Sequence, residues 1–227
     1  MVAAAVVVVW FALGTHLPHM ALWPTVLFIS LVVMPGTLLL AMIALPLWRE
    51  RWLFPAAIAL GLIAFGCAEA GWGLPGNFAK LWAAIFAGWA FIRLFEQLSW
   101  VVLVAFVIPL VDIISVYRGP TKAITSHHFE IYTAVAIAFV APGGAAAYLG
   151  PPDVLFYALF LAAAQRFELR VSRTWISMTG MYALTVILAT ALKVGGLPAL
   201  PFLSFGFLVP NADLLWRRLR RPPKPAA

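Results

Sequence analysis

Apolar residues run through this chain in stretches long enough to cross a lipid bilayer, and this constrains the fold more than any motif. Charges and Pro/Gly breaks divide it into eight candidate stretches, roughly 2–14, 22–47, 54–70, 79–95, 97–117, 153–169, 172–193 and 198–216, of which the first is short. A bilayer core of about 30 Å takes about 20 helical residues, each rising about 1.5 Å. In hydrocarbon, every backbone N–H and C=O must find a partner within the protein, which leaves helices as the natural reading. The expected fold class is all-α, a polytopic membrane helix bundle of eight or nine transmembrane helices forming one integral membrane domain over 1–227. The second stretch is long enough to tilt, or to kink at Pro35-Gly36.

Composition agrees with this. Hydrophobic residues make up 64% of the 227 and charged ones only 10%, too few polar groups to cover a soluble domain. The net charge of +7 suits basic residues gathered in cytoplasmic loops. No basic patch is interleaved with aromatics, so nucleic acid is not an expected partner. The lone cysteine, Cys67, can form neither an intramolecular disulfide nor a Cys-x-x-Cys zinc site, and it reads as packing. No metal or cofactor is expected. The N-terminus lacks a basic start and a small-residue cleavage site, and reads as a first membrane segment rather than a removed signal peptide.

Applied to eight crossings with a cytoplasmic C-terminus, the positive-inside rule puts Arg49, Arg51, Arg93, Arg166, Arg170, Arg173, Arg217, Arg218, Arg220, Arg221 and Lys224 inside. Only Lys80, Arg118, Lys122 and Lys193 fall outside. Both termini are therefore expected in the cytoplasm, and the richness in alanine, tryptophan and arginine points to a bacterial cytoplasmic membrane. Trp100 and Trp216 suit an interfacial belt. The apolar run 131–140 is too short to span and ends at Ala141-Pro142-Gly143-Gly144, so it reads as an extended or re-entrant piece.

Two acids stand out within this framework. Asp112 lies in the apolar run 107–117, and Asp153 lies between Gly150-Pro151-Pro152 and the run 154–164. A carboxylate in hydrocarbon is costly and usually has a task inside the bundle. Asp112 precedes Arg118 by six residues, about 9 Å below the outer boundary. Asp153 precedes Arg166 by thirteen, which leaves it about 10 Å below the same face of a core of about 30 Å. The two depths agree although each was measured from a different end. Two carboxylates brought together cannot both ionise easily, and such a pair activates water in aspartic proteases. The plainer readings are an N-cap for Asp153 and a buried hydrogen-bonding aspartate for Asp112.

Three strings then carry a resemblance. Leu110-Val111-Asp112-Ile113-Ile114-Ser115-Val116-Tyr117 comes first, followed by Leu149-Gly150-Pro151-Pro152-Asp153-Val154-Leu155-Phe156-Tyr157. The last is Gly196-Leu197-Pro198-Ala199-Leu200-Pro201. Together, in this order, they resemble the presenilin and signal peptide peptidase family of Gly-x-Gly-Asp intramembrane aspartic proteases, over about 97–216. The resemblance implies catalytic residues Asp112 and Asp153 and a substrate-binding set of Gly150, Pro198, Ala199, Leu200 and Tyr157. It makes 97–227 the catalytic helices and 1–96 an N-terminal scaffold. The expected partners are transmembrane peptide or protein substrates and the lipid bilayer. Two positions depart from the family: Val111 stands where an aromatic residue is usual, and Pro152 where the second glycine is usual. Proline fixes φ and removes an N–H donor.

The implied activity is peptide-bond hydrolysis in the bilayer by an intramembrane aspartyl endopeptidase. Pro201 has no N–H, so an unwound Pro-Ala-Leu segment able to pair with an extended substrate is one expectation. A plain helix start after Gly195-Gly196 is the other. Tyr157 reads as hydrogen-bonding near the pair or as packing. Glu69 and Asp213 read as interfacial, and His127-His128 lacks metal-ligand spacing. Neither a His-Glu-x-x-His nor a Gly-x-Ser-x-Gly string is present. The rivals are an inactive membrane-helix binder and a proton-coupled transporter using the same aspartates.

Overall fold

The computed structural model describes residues 2–118, 129–194 and 196–220. His127-His128, Lys122, Gly195, Arg221 and Lys224 lie outside the described residues. The fold is all-α apart from one small hairpin. In chain order the helices are α1 (Val2–Leu13), α2 (Leu22–Phe28), α3 (Met34–Ala44), α4 (Leu53–Glu69), α5 (Gly73–Phe91) and α6 (Leu98–Arg118). They continue with α7 (Phe129–Val135), α8 (Pro151–Arg166), α9 (Val171–Ala191), α10 (Ala199–Leu208) and α11 (Ala212–Leu219). Every one of the eight apolar stretches is helical. Four described helical segments are long and apolar enough to cross a membrane: Leu22–Arg49, Leu98–Val116, Val171–Ala191 and Ala199–Leu219.

Local chemistry explains the irregularities. A π-helical turn, Ile29–Val33, joins α2 to α3. Pro35 cannot donate an N–H and would crowd the carbonyl four residues back, and a widened turn relieves both problems. The expected kink is thus absorbed just upstream of Pro35-Gly36. Pro109 stands inside α6 and leaves a carbonyl one turn earlier without its usual donor, three residues before Asp112.

The core centres on α8. Residues 157–164 are all fully buried, as expected of a helix apolar on every side. Gly88 of α5 lets α8 approach: a Cβ there would lie 2.3 Å from the Leu155 carbonyl oxygen and 2.9 Å from the Ala158 Cβ. On the far side Phe160 stacks on Phe207 of α10, with centroids 4.8 Å apart.

The short run before Pro142 is extended only in its second half. Ile137–Val140 forms β1, which pairs antiparallel with β2 (Ala146–Leu149). Gly143 turns the hairpin at φ 76° against His19, where an added Cβ would collide with the imidazole. An unpaired strand edge in an apolar setting leaves polar groups unsatisfied, and three side chains cover that of β1. Asn77 donates its Nδ2 to the Ala138 carbonyl (2.9 Å) and accepts the Ala138 N–H at its Oδ1 (2.8 Å). Trp10 Nε1 donates to the Val140 carbonyl (3.0 Å), and Lys80 Nζ donates to the Ala134 and Ala136 carbonyls (3.1 and 2.6 Å). The hairpin is therefore held by α1 and α5.

Candidate active site

β2 leads directly into the first turn of α8, and this junction sets the position of Asp153. Gly150 is the N-cap with φ −65° and ψ 151°, and Pro151 and Pro152 occupy the first two helical positions, where a missing N–H costs nothing. Asp153 is the third helical residue rather than the N-cap of the plainer reading. Its Oδ2 accepts the Gly150 N–H at 2.9 Å, and its own N–H donates to the Gly150 carbonyl at 3.1 Å. The carboxylate thus makes the N3 half of a capping box, and the backbone makes the return bond because Gly150 has no side chain. A Cβ on Gly150 would lie 3.2 Å from that carboxylate oxygen, so glycine gives the carboxylate room.

Asp112 is held by a different helix. Its Oδ2 accepts the Leu200 N–H at 3.0 Å. Leu200 is the second residue of α10, so this N–H is one of the orphan donors of a helix start. The Pro-Ala-Leu expectation needs correction here: Pro198 is the N-cap with ψ 118°, and Ala199 and Leu200 are already helical. Pro201 is tolerated because the residue four positions back, Leu197, lies outside the helix. The segment is a helix start whose first turn points a donor at Asp112, not an unwound strand.

Two helix N-termini thus converge on the two carboxylates, where macrodipoles and free N–H groups favour negative charge. The aspartates come close enough for the charge of Asp112 to act on Asp153. Both residues are part-buried. Tyr182 of α9 underlies the pair and donates its hydroxyl to the Asp153 backbone carbonyl at 2.7 Å. Tyr132 of α7 also feels the Asp153 carboxylate. Burial first, and then that charge, push its phenol up to about 12, so it stays protonated.

The remaining expected residues separate into near and far. Gly150 and Leu200 touch the pair directly, and Pro198 and Ala199 lead into the Leu200 contact. Tyr157 is turned away: it is fully buried, its hydroxyl lies 2.9 Å from Thr179 Oγ1, and its ring stacks on Tyr182 at 5.7 Å. Pro152 lies on another face of α8, lining a groove toward α4 and α5. Asp213 pairs with Arg170 through two contacts of 2.6 and 2.7 Å, well away from the aspartates in the chain. Among the described residues no cluster of His, Cys, Asp and Glu suits a metal ion. Sequence reasoning missed Tyr182 and Tyr132, whose link to Asp153 is made only by tertiary packing. Comparison with protein families, curated proteins and solved structures returns no match.

Proposed function

We propose that the protein is an intramembrane aspartic protease of the presenilin and signal peptide peptidase kind, cutting transmembrane substrate helices with Asp112 and Asp153. The observation that carries this reading is the convergence itself. Two carboxylates from distant segments lie within electrostatic reach, and one of them accepts an N–H from the Pro-Ala-Leu string.

In the reaction, one carboxylate takes a proton from water as the oxygen adds to the scissile carbonyl carbon. The other gives a proton to the carbonyl oxygen. Collapse of the tetrahedral diol returns a proton to the departing nitrogen, and the C–N bond breaks. The roles belong to the dyad and not to either residue alone. β2 ends four residues before Asp153, so an extended substrate pairing with this hairpin would bring its backbone to the carboxylates.

The membrane arrangement belongs to the same proposal: eight crossings in a bacterial cytoplasmic membrane, with both termini cytoplasmic. Its support is the clustering of Arg49, Arg93 and Arg166 around one pocket, while Lys80 binds the hairpin at the opposite end of α5.

The test compares cleavage of a panel of membrane-helix peptides by wild type, Asp112→Asn and Asp153→Asn in detergent. Each variant is expected to lose at least about 100-fold in rate, the usual contribution of a positioned acid or base. Cleavage that survives either substitution removes that aspartate from the mechanism.

A further inference from the structure

The first turn of α8, beside Asp153, borders a long apolar groove of about 1420 Å³. Its walls are α4 (Phe54, Ala57, Gly61, Ala64), α5 (Ala83, Ala87, Ala90) and the start of α8 (Pro152, Leu155). Lys80 and Glu69 border one end and Arg93 the other. From Lys80 to Arg93 the helix rises about 20 Å, more than half a bilayer core of about 30 Å. At the Arg93 end the groove meets a second pocket of about 350 Å³, lined by Trp48, Arg49, Arg93 and Arg166.

Three guanidiniums therefore face one small space. Arg93 spends one N–H on the Glu50 carbonyl (3.1 Å) and Arg166 one on the Ile92 carbonyl (2.6 Å), while Arg49 lies 5.5 Å from the centre of the Trp48 ring. Each guanidinium has five donors, so most remain directed at the pocket or at solvent. Among the described residues the ion pairs are Arg170–Asp213 and Arg218–Glu168, and neither involves these three arginines. The nearby acids Glu50 and Glu96 are exposed and form no ion pair with them.

We propose that this composite site binds an anionic glycerophospholipid. Arg49, Arg93 and Arg166 hold its phosphate, and an acyl chain lies in the α4–α5–α8 groove toward Leu155 and Pro152. Arg93 lines both pockets and marks where headgroup meets chain. Basic pockets between membrane helices suit such headgroups, and apolar walls of small residues suit a chain. The inference rests on the membrane location of the protein, not on its being a protease.

The test is native mass spectrometry of the full chain in detergent, supplied with dioleoylphosphatidylglycerol or dioleoylphosphatidylcholine. One phosphatidylglycerol should be retained at least about tenfold more tightly than phosphatidylcholine, since each arginine near a membrane surface is worth about fivefold. Arg49→Gln, which donates to no backbone carbonyl in this structure, should weaken phosphatidylglycerol about fivefold, and the triple Gln variant more. Ala87→Phe, which fills the groove and leaves the arginines in place, should also weaken it. Millimolar inorganic phosphate should not displace the lipid. Equal retention of the two lipids overturns the proposal, as does phosphatidylglycerol retention unchanged in both Arg49→Gln and Ala87→Phe. Displacement by phosphate alone would reduce the site to a simple anion pocket. Displacement of both lipids by a transmembrane peptide would give the groove to a helix instead. Because binding is read without cleavage, failure here is distinct from failure of the protease reading.

Discussion

Gly88→Ala should move α8 without touching a carboxylate. The added methyl would lie 2.3 Å from the Leu155 carbonyl oxygen and 3.0 Å from the Leu159 nitrogen. Both are backbone atoms of α8, so no side-chain rotation relieves the clash. Ordinary van der Waals contact requires α8 to shift by about 1 Å, and Leu155 is only two residues from Asp153. Overpacking of this kind costs about 1–3 kcal/mol, while alanine in place of glycine within a helix returns up to about 1 kcal/mol. The net expectation is a loss of about 1–2 kcal/mol. The effect on catalysis should be larger, since a misplacement of about 1 Å can cost on the order of 100-fold. The assays are cleavage of a membrane-helix peptide and thermal unfolding of the same detergent-purified sample. Gly66→Ala is the control, because nothing lies within 4 Å of a Cβ at that position, and it should leave both readouts near wild type. Gly88→Ala with wild-type cleavage and reduced stability would refute the claim that the α5–α8 seat sets the position of Asp153.

Three further outcomes follow from contacts already described. Leu200→Pro removes the N–H that Asp112 accepts, whereas Leu200→Met keeps both it and the side-chain volume; cleavage should fall at least about tenfold in the first and little in the second. Asn77→Ala removes both bonds to Ala138; it should cost about 1–3 kcal/mol, and hydrogen exchange should speed at the Ala138 amide. Arg170→Ala breaks an ion pair whose side chains are 34% and 45% exposed. Its Coulomb part is weakened by solvent and screened by salt, so a loss of unfolding temperature that persists in high salt would point instead to its bond with the Pro210 carbonyl (2.8 Å).

The helical class was legible because hydrocarbon leaves a chain few ways to pair its backbone, and each apolar stretch became a helix. The hidden feature was not length but pairing: 131–140 is recognisable as too short to span, yet only four of its residues are strand. Their partner lies beyond a Pro-Gly-Gly turn that periodicity does not read. The convergence of Asp112 and Asp153 was anticipated from depth alone, since residues at one depth on packed helices can meet. What depth cannot give is direction around the helix axis. Tyr157 is one turn from Asp153, which leaves hydrogen-bonding near the pair and packing equally open, and it is buried facing Thr179. Tyr182, on another helix, holds the backbone beneath Asp153 instead. For the Pro-Ala-Leu string the plain helix start is the expectation that holds, because Pro201 disrupts a helix only where a full turn precedes it.

Two hydrogen bonds bear on how such a chain is assembled. Trp10 reaches the Val140 carbonyl and Trp175 reaches the Leu38 carbonyl, across separations of 130 and 137 residues. At a synthesis rate of about 5–20 residues per second, the first helices wait on the order of ten seconds for these partners to emerge. During that interval the first ninety-six residues carry Asn77, Lys80 and Trp10 prepared for a hairpin not yet made. The boundary expected at residue 96 is therefore crossed by the bonds that complete the fold. The C-terminal helices expressed alone would lack the groups that close the edge of β1, so the two portions of this chain depend on each other from biogenesis onward.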